Sequence, residues 1–281
     1  MKLCRFGQLG QERPGLIDAE GKIRDLSAHV DDITPSELSP EKLAELAAIH
    51  VSSLPVVDAG VRYGTPVSGT RKFIAIGLNY RDHAEEAGMA IPTEPVVFSK
   101  AITCISGPND NIVQPPHSTK LDWELELGVI IGTEARFVSE NEALDYVAGY
   151  AVINDVSERA FQLQSSQWDK GKGCDTFGPI GPWLVTRDEV PDPQNLDMWL
   201  EVNGERRQAG NSKTMIFTIA EIVSYLSRYI TLQPGDVICT GTPPGVGMGM
   251  KPEPIYLNTG DNIRLWIEGL GEQQQMVVSS I

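Results

Sequence analysis

The chain has 281 residues, of which 41% are hydrophobic and 22% charged, a composition that supports a packed core and argues against disorder. No apolar run approaches the ~20 residues that cross a bilayer, and the N-terminal segment lacks the apolar stretch of a signal peptide, so we expect a cytoplasmic protein. The formal net charge of −15 disfavours nucleic acid and membranes as partners, and an acidic substrate would need local positive charge in its site.

The first 65 residues have the pattern of a small module. LCRFG and GLIDAEGKIRDLS are typical of short strands with a turn at EG, and SPEKLAELAAI predicts a helix over 39–49. The Pro/Gly-rich passage that follows is typical of a linker. We therefore predict a small α+β module over 1–65 and a larger catalytic domain over 70–281.

Strands dominate the larger domain. FIAIG and VAGYAVINDVS indicate buried strands, and MWLEVNGERR predicts a hairpin with Asn203-Gly204 at its turn. YRDHAEEAGM indicates a short helix or a mobile turn, and IFTIAEIVSYLSRYI predicts a helix over 217–229 before the chain returns to strands. The regular strand–helix alternation of a doubly wound sheet is absent, so the predicted class is α+β, mostly β.

The segment DWELELGVII at 122–131 carries the strongest chemical signal. Side chains alternate faces along a strand, so Asp122, Glu124 and Glu126 share one face where the strand enters an apolar stretch. Like charges at this spacing repel one another and lose solvation near a core, and a divalent cation with oxygen ligands relieves both effects. A strand with one solvated face has the same pattern, so this segment alone leaves both interpretations open.

A third acid, Asp155, ends the apolar strand AGYAVIN. An acid in this position is ordinarily a turn residue, but Asp155 precedes a helix start at Ser157-Glu158-Arg159 and could point back toward the same cation. Together with Glu124 and Glu126 it would supply three oxygen ligands and leave positions for substrate and water.

His83 is followed three residues later by a carboxylate residue, Glu86. Residues at this spacing face each other on a helix, and a carboxylate partner orients an imidazole for general-base catalysis. A lone histidine is more often structural, so the pairing with Glu86 is what makes His83 a catalytic candidate.

Six ordered motifs extend over roughly residues 73–270. They are G-L-N-Y-R-D-H-A-E-E at 77–86, P-x-x-F-x-K at 95–100, D-W-E-L-E-L at 122–127, N-D-V-S-E-R-x-x-Q at 154–162, W-D-K-G-K-G-x-D-T-F-G-P at 168–179 and T-G-T-P-P-G-V-G at 240–247. In this order they closely resemble the fumarylacetoacetate hydrolase superfamily. The resemblance implies a mixed β-roll catalytic domain, a homodimer, and one Mg²⁺ or Mn²⁺ ion, for which Ca²⁺ can substitute in crystals.

The resemblance also assigns roles by position. Glu124, Glu126 and Asp155 match the family's metal ligands. His83 and Glu86 match the acid–base pair of its smaller members, and Lys172 matches its active-site lysine. The candidates for binding a small anionic 2-oxo acid substrate are Tyr80, Lys100, Arg159, Gln162, Thr176 and Thr242.

The reaction implied by this resemblance is hydrolysis of a carbon–carbon bond in a 2,4-dioxo acid. The substrate would be an acylpyruvate or a 2,4-dioxo-3-deoxy sugar acid such as the L-rhamnonate derivative, and the product pyruvate or a related 2-oxo acid. Decarboxylation of oxaloacetate, isomerisation of a 2-oxo acid and a lyase reaction such as that of ureidoglycolate lyase stay open as alternatives. A non-catalytic binding protein of the same fold is a remote alternative, because every residue that the chemistry needs is present.

Overall fold

The protein is described by a computed structural model covering residues 1–88 and 90–280, without the side chain of residue 87. Its strands are β1 (Lys2–Phe6), β2 (Arg13–Ile17), β3 (Ile23–Asp25), β4 (Tyr63–Gly64), β5 (Phe73–Gly77), β6 (Val96–Lys100), β7 (Ile105–Ser106), β8 (Ile112–Gln114), β9 (Leu121–Asp122), β10 (Leu125–Ile131), β11 (Val147–Asn154), β12 (Ser157–Glu158), β13 (Gly178–Thr186), β14 (Asp197–Val202), β15 (Glu205–Asn211), β16 (Val237–Cys239), β17 (Asn262–Ile267) and β18 (Gly271–Ser279). The α-helices are α1 (Pro40–Ala47), α2 (Arg81–Ala87), α3 (Arg159–Gln162), α4 (Asp169–Lys172) and α5 (Ile219–Ser227). Short 3₁₀ helices span Pro35–Leu38, Val51–Ser53, Ile102–Cys104, Glu140–Tyr146, Arg187–Glu189, Ser212–Thr214 and Gly247–Gly249.

Two large sheets form the body of the molecule. The larger has the strand order β3-β2-β1-β13-β11-β10-β16-β5-β6, with β4 paired to β1 and β7 paired to β13. The smaller has the order β15-β14-β17-β18-β8, and β9 pairs with β12 apart from both. Every residue of β10 and β11 is buried, as expected for continuous apolar runs at the centre of a covered sheet. The predicted α+β, mostly β class is confirmed.

The predicted helices and the hairpin are present. The helix expected at 39–49 is α1, and the one expected at 217–229 is α5, which begins at a capping box between Thr218 and Glu221. Asn203 and Gly204 join β14 to β15 with φ values of 53° and 80°, the positive φ values that a type I′ turn requires. The segment predicted as a short helix or mobile turn forms α2, while its last residue, Met89, lies outside the described residues.

The first 65 residues extend the larger sheet. Strand β1 pairs antiparallel with β13, with Leu3 opposite Leu184, and Leu3 and Leu16 belong to the same hydrophobic core as the strands of the catalytic region. The boundary between the two predicted domains stays a prediction. Within the described residues, no helix is both long enough and apolar enough to cross a membrane.

A break in the strand ladder positions the acidic residues. The strand expected over 122–131 is interrupted after Asp122 and resumes as β10 at Leu125. The backbone N–H groups of Glu124 and Leu125 donate to the side chains of Asn154 and Gln208 instead of to the backbone of a neighbouring strand. Beyond the break, β9 pairs with β12. In the register of β10 on β11, the start of β10 lies beside the end of β11. There the N–H of Asp155 donates to the carbonyl of Glu124 at 2.8 Å.

Candidate active site

Three buried carboxylates converge where β10 and β11 meet. Glu124, Glu126 and Asp155 each offer an oxygen, and these oxygens all lie within 4.8 Å of one another. Oxygens that share a Mg²⁺, Mn²⁺ or Ca²⁺ ion at about 2.0–2.6 Å lie within roughly 5 Å of each other, so this donor set fits a divalent cation. The predicted convergence of the three side chains is confirmed.

Buried cations surround two of these carboxylates. The Nζ of Lys172 donates to Glu124 Oε2 and to Asp155 Oδ2, each at 2.6 Å. The Nζ of Lys100 donates to Asp155 Oδ1 at 2.5 Å, and Arg159 Nη2 donates to Glu124 Oε1 at 2.6 Å. These three cations offset the charges of Glu124 and Asp155 in the interior of a protein whose net charge is −15.

The surroundings of Glu124 and Glu126 shift the pKa values of these two residues in opposite directions. Burial acts to raise the pKa of Glu124, but the charges of Lys172 and Arg159 outweigh it and hold that pKa well below its usual range. Burial raises the pKa of Glu126 well above its usual range, and the negative charges of Asp155 and Glu124 add to this effect. The charge of Lys172 and a 2.7 Å hydrogen bond from Gly241 N–H to Glu126 Oε2 act in the opposite direction, but they do not outweigh these effects. A divalent cation would supply the missing positive charge beside Glu126.

The carboxylates open into a cavity of about 160 Å³. Its lining residues are Ile76, Gly77, Leu78, His83, Phe98, Glu124, Glu126, Arg159, Gln162, Leu163, Trp168, Lys172, Thr242 and Met248. Seven of the residues predicted from the sequence to form the site are therefore together in one cavity, and Asp155 adjoins it through the carboxylate cluster.

Three predicted substrate-binding residues are absent from this lining. Tyr80 is fully buried, and its hydroxyl lies 3.5 Å from the sulfur of Met198. Lys100 is buried beside Asp155, where its ammonium also donates to the main-chain carbonyl of Lys172. Thr176 Oγ1 accepts a hydrogen bond from Val113 N–H. The contacts of these three residues are with the protein itself. They therefore favour a role in holding the fold around the site over direct contact with a substrate.

His83 and Glu86 face each other on α2, as their spacing predicts. His83 Nδ1 lies 3.2 Å from Glu86 Oε2, and His83 lines the cavity. The hydrogen bond with His83 lowers the pKa of Glu86, and a hydrogen bond from Gly245 N–H adds to this against a smaller opposing effect of burial. Glu86 therefore remains ionised and holds the imidazole through Nδ1.

Asp122 and Gln208 organise the site without lining its cavity. The sequence placed Asp122 on the face of Glu124 and Glu126 but gave it no role of its own in the site, and it gave Gln208 none. Asp122 accepts hydrogen bonds from Arg159 Nε and from the N–H groups of Gly247 and Met248. Gln208 accepts from Leu125 N–H and donates to Thr242 Oγ1. Asp122 stands in the D-W-E-L-E-L motif, which was a usable signal, whereas nothing near Gln208 in the sequence marks it.

Comparison with known proteins agrees with this geometry. Residues 72–278 match the family described as fumarylacetoacetate (FAA) hydrolase C-terminal. The chain therefore belongs to the fumarylacetoacetate hydrolase family. A relative from Burkholderia multivorans (strain ATCC 17616 / 249), named as a hydrolase without a stated substrate, is 62% identical over 277 residues, which is 98% of each chain.

Two solved structures are similar over the whole chain. One is maleylpyruvate hydrolase from Sphingobium sp. SYK-6, in complex with manganese(II) ion and pyruvate, at 32% identity, a TM-score of 0.84 and 100% coverage of both chains. The other is 5-carboxymethyl-2-hydroxymuconate delta-isomerase from Mycobacterium smegmatis, at 32% identity, a TM-score of 0.78 and 100% coverage of both chains. Both a hydrolase and an isomerase thus share this fold.

Proposed function

We propose that this protein is a divalent-cation-dependent hydrolase that cleaves the carbon–carbon bond between C3 and C4 of a 2,4-dioxo acid. The observation that carries the proposal is one cavity that combines a buried carboxylate cluster, a histidine–glutamate pair and a buried lysine. The similar maleylpyruvate hydrolase, with its manganese and pyruvate, supports both the cation and a 2-oxo acid product.

Glu124, Glu126 and Asp155 would hold the cation, Mg²⁺ or Mn²⁺. When bound, such an ion supplies Lewis-acid polarisation and a template for neighbouring carboxylate and oxo oxygens. Lys172 and Arg159, which hold Glu124 from two sides, keep that carboxylate ionised and oriented. Both also line the cavity, where their charges favour the carboxylate of an entering acid.

The chain's own residues account for proton movement. Glu86 engages Nδ1 of His83, which leaves Nε2 to take a proton from a water molecule in the cavity. The resulting hydroxide attacks C4, the C3–C4 bond breaks, and its electron pair remains on C3 as the enolate of pyruvate. The positive charge of Lys172 stabilises that enolate, and the proton on His83 returns to C3. The products are pyruvate and the carboxylic acid derived from the acyl group.

Isomerisation of a 2-oxo acid is the second candidate, favoured by the similarity to the delta-isomerase. It needs proton transfer between carbons and no attacking water. The two reactions differ in their products, because isomerisation conserves the substrate's atoms whereas hydrolysis releases pyruvate.

Measuring pyruvate release from acetylpyruvate in the presence of Mg²⁺ or Mn²⁺ tests the proposal directly. Oxaloacetate, assayed in the same way, tests for decarboxylation. His83→Ala should lower kcat/KM on acetylpyruvate by roughly 10²–10⁴-fold, the usual contribution of a general base. Its Mn²⁺ affinity, measured by calorimetry, should stay near that of the wild type, because His83 is not a proposed ligand. Glu126→Gln should lose both Mn²⁺ binding and activity.

His117→Ala provides a control on an exposed histidine that does not line the cavity. Wild-type rates on acetylpyruvate for His83→Ala would contradict the hydrolytic role of the dyad. An isomerised product without pyruvate would favour the second candidate instead.

A further inference from the structure

The lining of the cavity combines charged and apolar side chains. Its ionisable residues are His83, Glu124, Glu126, Arg159 and Lys172. The remaining side chains, apart from Gln162 and Thr242, are hydrocarbon, aromatic or thioether groups, namely Ile76, Leu78, Phe98, Leu163, Trp168 and Met248. A ligand that places its acidic end beside Arg159 and Lys172 would meet apolar side chains over much of the remaining lining.

An aromatic wall leads away from the charged residues. The Nζ of Lys172 lies 5.2 Å from the ring centroid of Phe98, and the Phe98 ring meets Trp168 edge-on at 5.1 Å between centroids. Trp168 in turn packs against Gly77, where an added Cβ would lie 2.8 Å from Cζ3 of the indole. Contacts thus run from the ammonium of Lys172 through the rings of Phe98 and Trp168 to Gly77 at the end of β5. Because Gly77 has no side chain, the indole fits in the space beside it.

The entrance to the cavity is apolar as well. Leu163 and Met248 line it, although 64% and 40% of these residues are exposed to solvent. A single exposed leucine needs no special explanation. Both side chains belong to the same cavity lining as Phe98 and Trp168, a composition suited to a hydrocarbon group.

The side-chain oxygens of the two uncharged polar residues in the lining have partners within the protein. Thr242 Oγ1 donates to the carbonyl of Leu125 and accepts from Gln208 Nε2. Gln162 Oε1 accepts from Arg159 Nη1. A polyhydroxy chain seated against the apolar side chains would leave hydroxyl groups without hydrogen-bond partners, which weakens binding.

We infer that the acyl group on C4 of the substrate is a short alkyl or aryl group, and not a polyhydroxy chain or a chain that ends in a second carboxylate. This inference rests on the proposed function, because it assumes that the acidic end of a 2,4-dioxo acid lies beside Arg159 and Lys172. The cavity volume of about 160 Å³ lies below the ~300–1,000 Å³ of pockets for drug-sized ligands, which limits the acyl group to a small one.

The test is a substrate series with Mn²⁺ at saturation. It comprises acetylpyruvate, butanoylpyruvate, benzoylpyruvate, succinylpyruvate and 2,4-dioxo-3-deoxy-L-rhamnonate. We expect kcat/KM to rise by about 3–4-fold for each methylene from acetyl to butanoyl, the factor that corresponds to ~0.8 kcal/mol per buried CH₂. The succinyl and polyhydroxy compounds should be at least about tenfold poorer than butanoylpyruvate.

A binding series separates this inference from the hydrolytic reaction. The ligands are pyruvate, 2-oxobutanoate, 2-oxohexanoate and 2-oxoglutarate, none of which has a C–C bond for this hydrolase to cleave, and their Kd values are measured by calorimetry. Affinity should increase with alkyl length and be lower for 2-oxoglutarate than for 2-oxohexanoate. If no dioxo acid is hydrolysed but this order of affinity holds, the proposed function fails and the apolar binding site stands.

Leu163→Lys is the informative variant, because the side chain is exposed and its replacement spares the core. It should lower kcat/KM for butanoylpyruvate several-fold and raise that for succinylpyruvate, thereby reversing or narrowing the preference. Leu9→Lys, the same substitution at a residue that is 78% exposed and does not line the cavity, should change neither value. A wild-type preference for succinylpyruvate or the rhamnonate derivative would overturn the inference and leave hydrolysis intact.

Discussion

The ammonium group of Lys100 is fully buried and holds Asp155 in place. Its burial acts to lower its pKa, but the charge of Asp155 outweighs this effect and raises the pKa, so the lysine stays charged. Lys100→Met would leave Asp155 with one fewer counter-charge in the interior. We expect a loss of about 3–5 kcal/mol in the free energy of unfolding, measured with urea, because broken buried ion pairs cost this much.

Lys170→Met is the matched control, since Lys170 is exposed and bonds Gln164. Its effect should stay within about 0.5 kcal/mol. If Lys100→Met instead kept full stability and raised KM, the substrate-binding role predicted for Lys100 would be favoured over a structural one.

The carboxylate of Glu86 should make stability depend on pH in the acid range. Its pKa in the fold lies below the ordinary value of 4.5, because of the hydrogen bonds with His83 and Gly245. A group with a lowered pKa stabilises the fold above its unfolded pKa, and this contribution is lost as the pH falls through the folded value. We expect wild type to exceed Glu86→Gln in urea midpoint at about pH 7, and this difference to shrink below about pH 4.5.

Glu85→Gln controls for the loss of a charge on the exposed side of the same helix. A difference between wild type and Glu86→Gln that stayed constant from neutral to acid pH would show that Glu86 is not stabilised in its ionised form.

The residues of the carboxylate cluster could be recognised from the sequence because their geometry is local. Glu124 and Glu126 are two residues apart on one chain segment, and Asp155 closes the next strand. The placement of Lys100 and Tyr80 could not be recognised in this way. Whether a side chain enters the cavity or lies beneath it depends on packing between distant segments, and the motifs that contain these residues do not report depth.

Helix α2 carries the proposed base on a short and lightly anchored element. It has seven residues and ends at Gly88 in the left-handed conformation, with His83 and Ala84 as its buried members among the described side chains. Its side-chain hydrogen bonds to the rest of the protein include those that Asp82 accepts from Thr214 Oγ1 and Glu86 accepts from Gly245 N–H. Elements with little buried apolar area open at low free-energy cost.

We therefore expect α2 to act as a lid over the cavity. Amide hydrogen exchange in residues 81–88 should be fast in the free protein and should slow when Mn²⁺ and an unreactive 2-oxo acid are bound, as for other catalytic lids. Helix α5, with six buried residues, provides the internal reference and should be protected in both states. Equal exchange of α2 with and without ligand would argue against closure.

The break between β9 and β10 could not be predicted from the alternation of side chains. The pattern DWELEL continues through the break, yet two backbone N–H groups there are satisfied by the side chains of Asn154 and Gln208. Both partners are distant in sequence, and Gln208 lies on another sheet. Periodicity therefore located the strand and its buried face, whereas its starting residue depended on tertiary hydrogen bonds.

The N-terminal module and the rest of the chain share one sheet, and Leu3 and Leu16 of the module lie in the main hydrophobic core, whereas Cys4, Phe6, Ile17 and Ile23 form a second cluster. The composition change near residue 65 marks a linker in the sequence, but strand pairing across it becomes visible only in three dimensions. Strand β1 covers the edge of β13, and Leu3 is wholly buried within the shared core. Removing the module would leave β13 with an exposed edge, which is a template for aggregation.

Deletion of residues 1–65 should therefore prevent the remaining chain from folding into a stable, soluble protein. We expect the fragment to lack the near-ultraviolet circular dichroism and the single cooperative melting transition that the full chain should show.

Since a truncation can fail for several reasons, Leu3→Ala in the full chain is the second variant, with an expected loss of about 2–5 kcal/mol in the free energy of unfolding. Leu9→Ala, at an exposed position, should cost less than about 0.5 kcal/mol. A fragment that melts cooperatively and binds Mn²⁺ as tightly as the full chain would instead establish residues 70–281 as an independent domain.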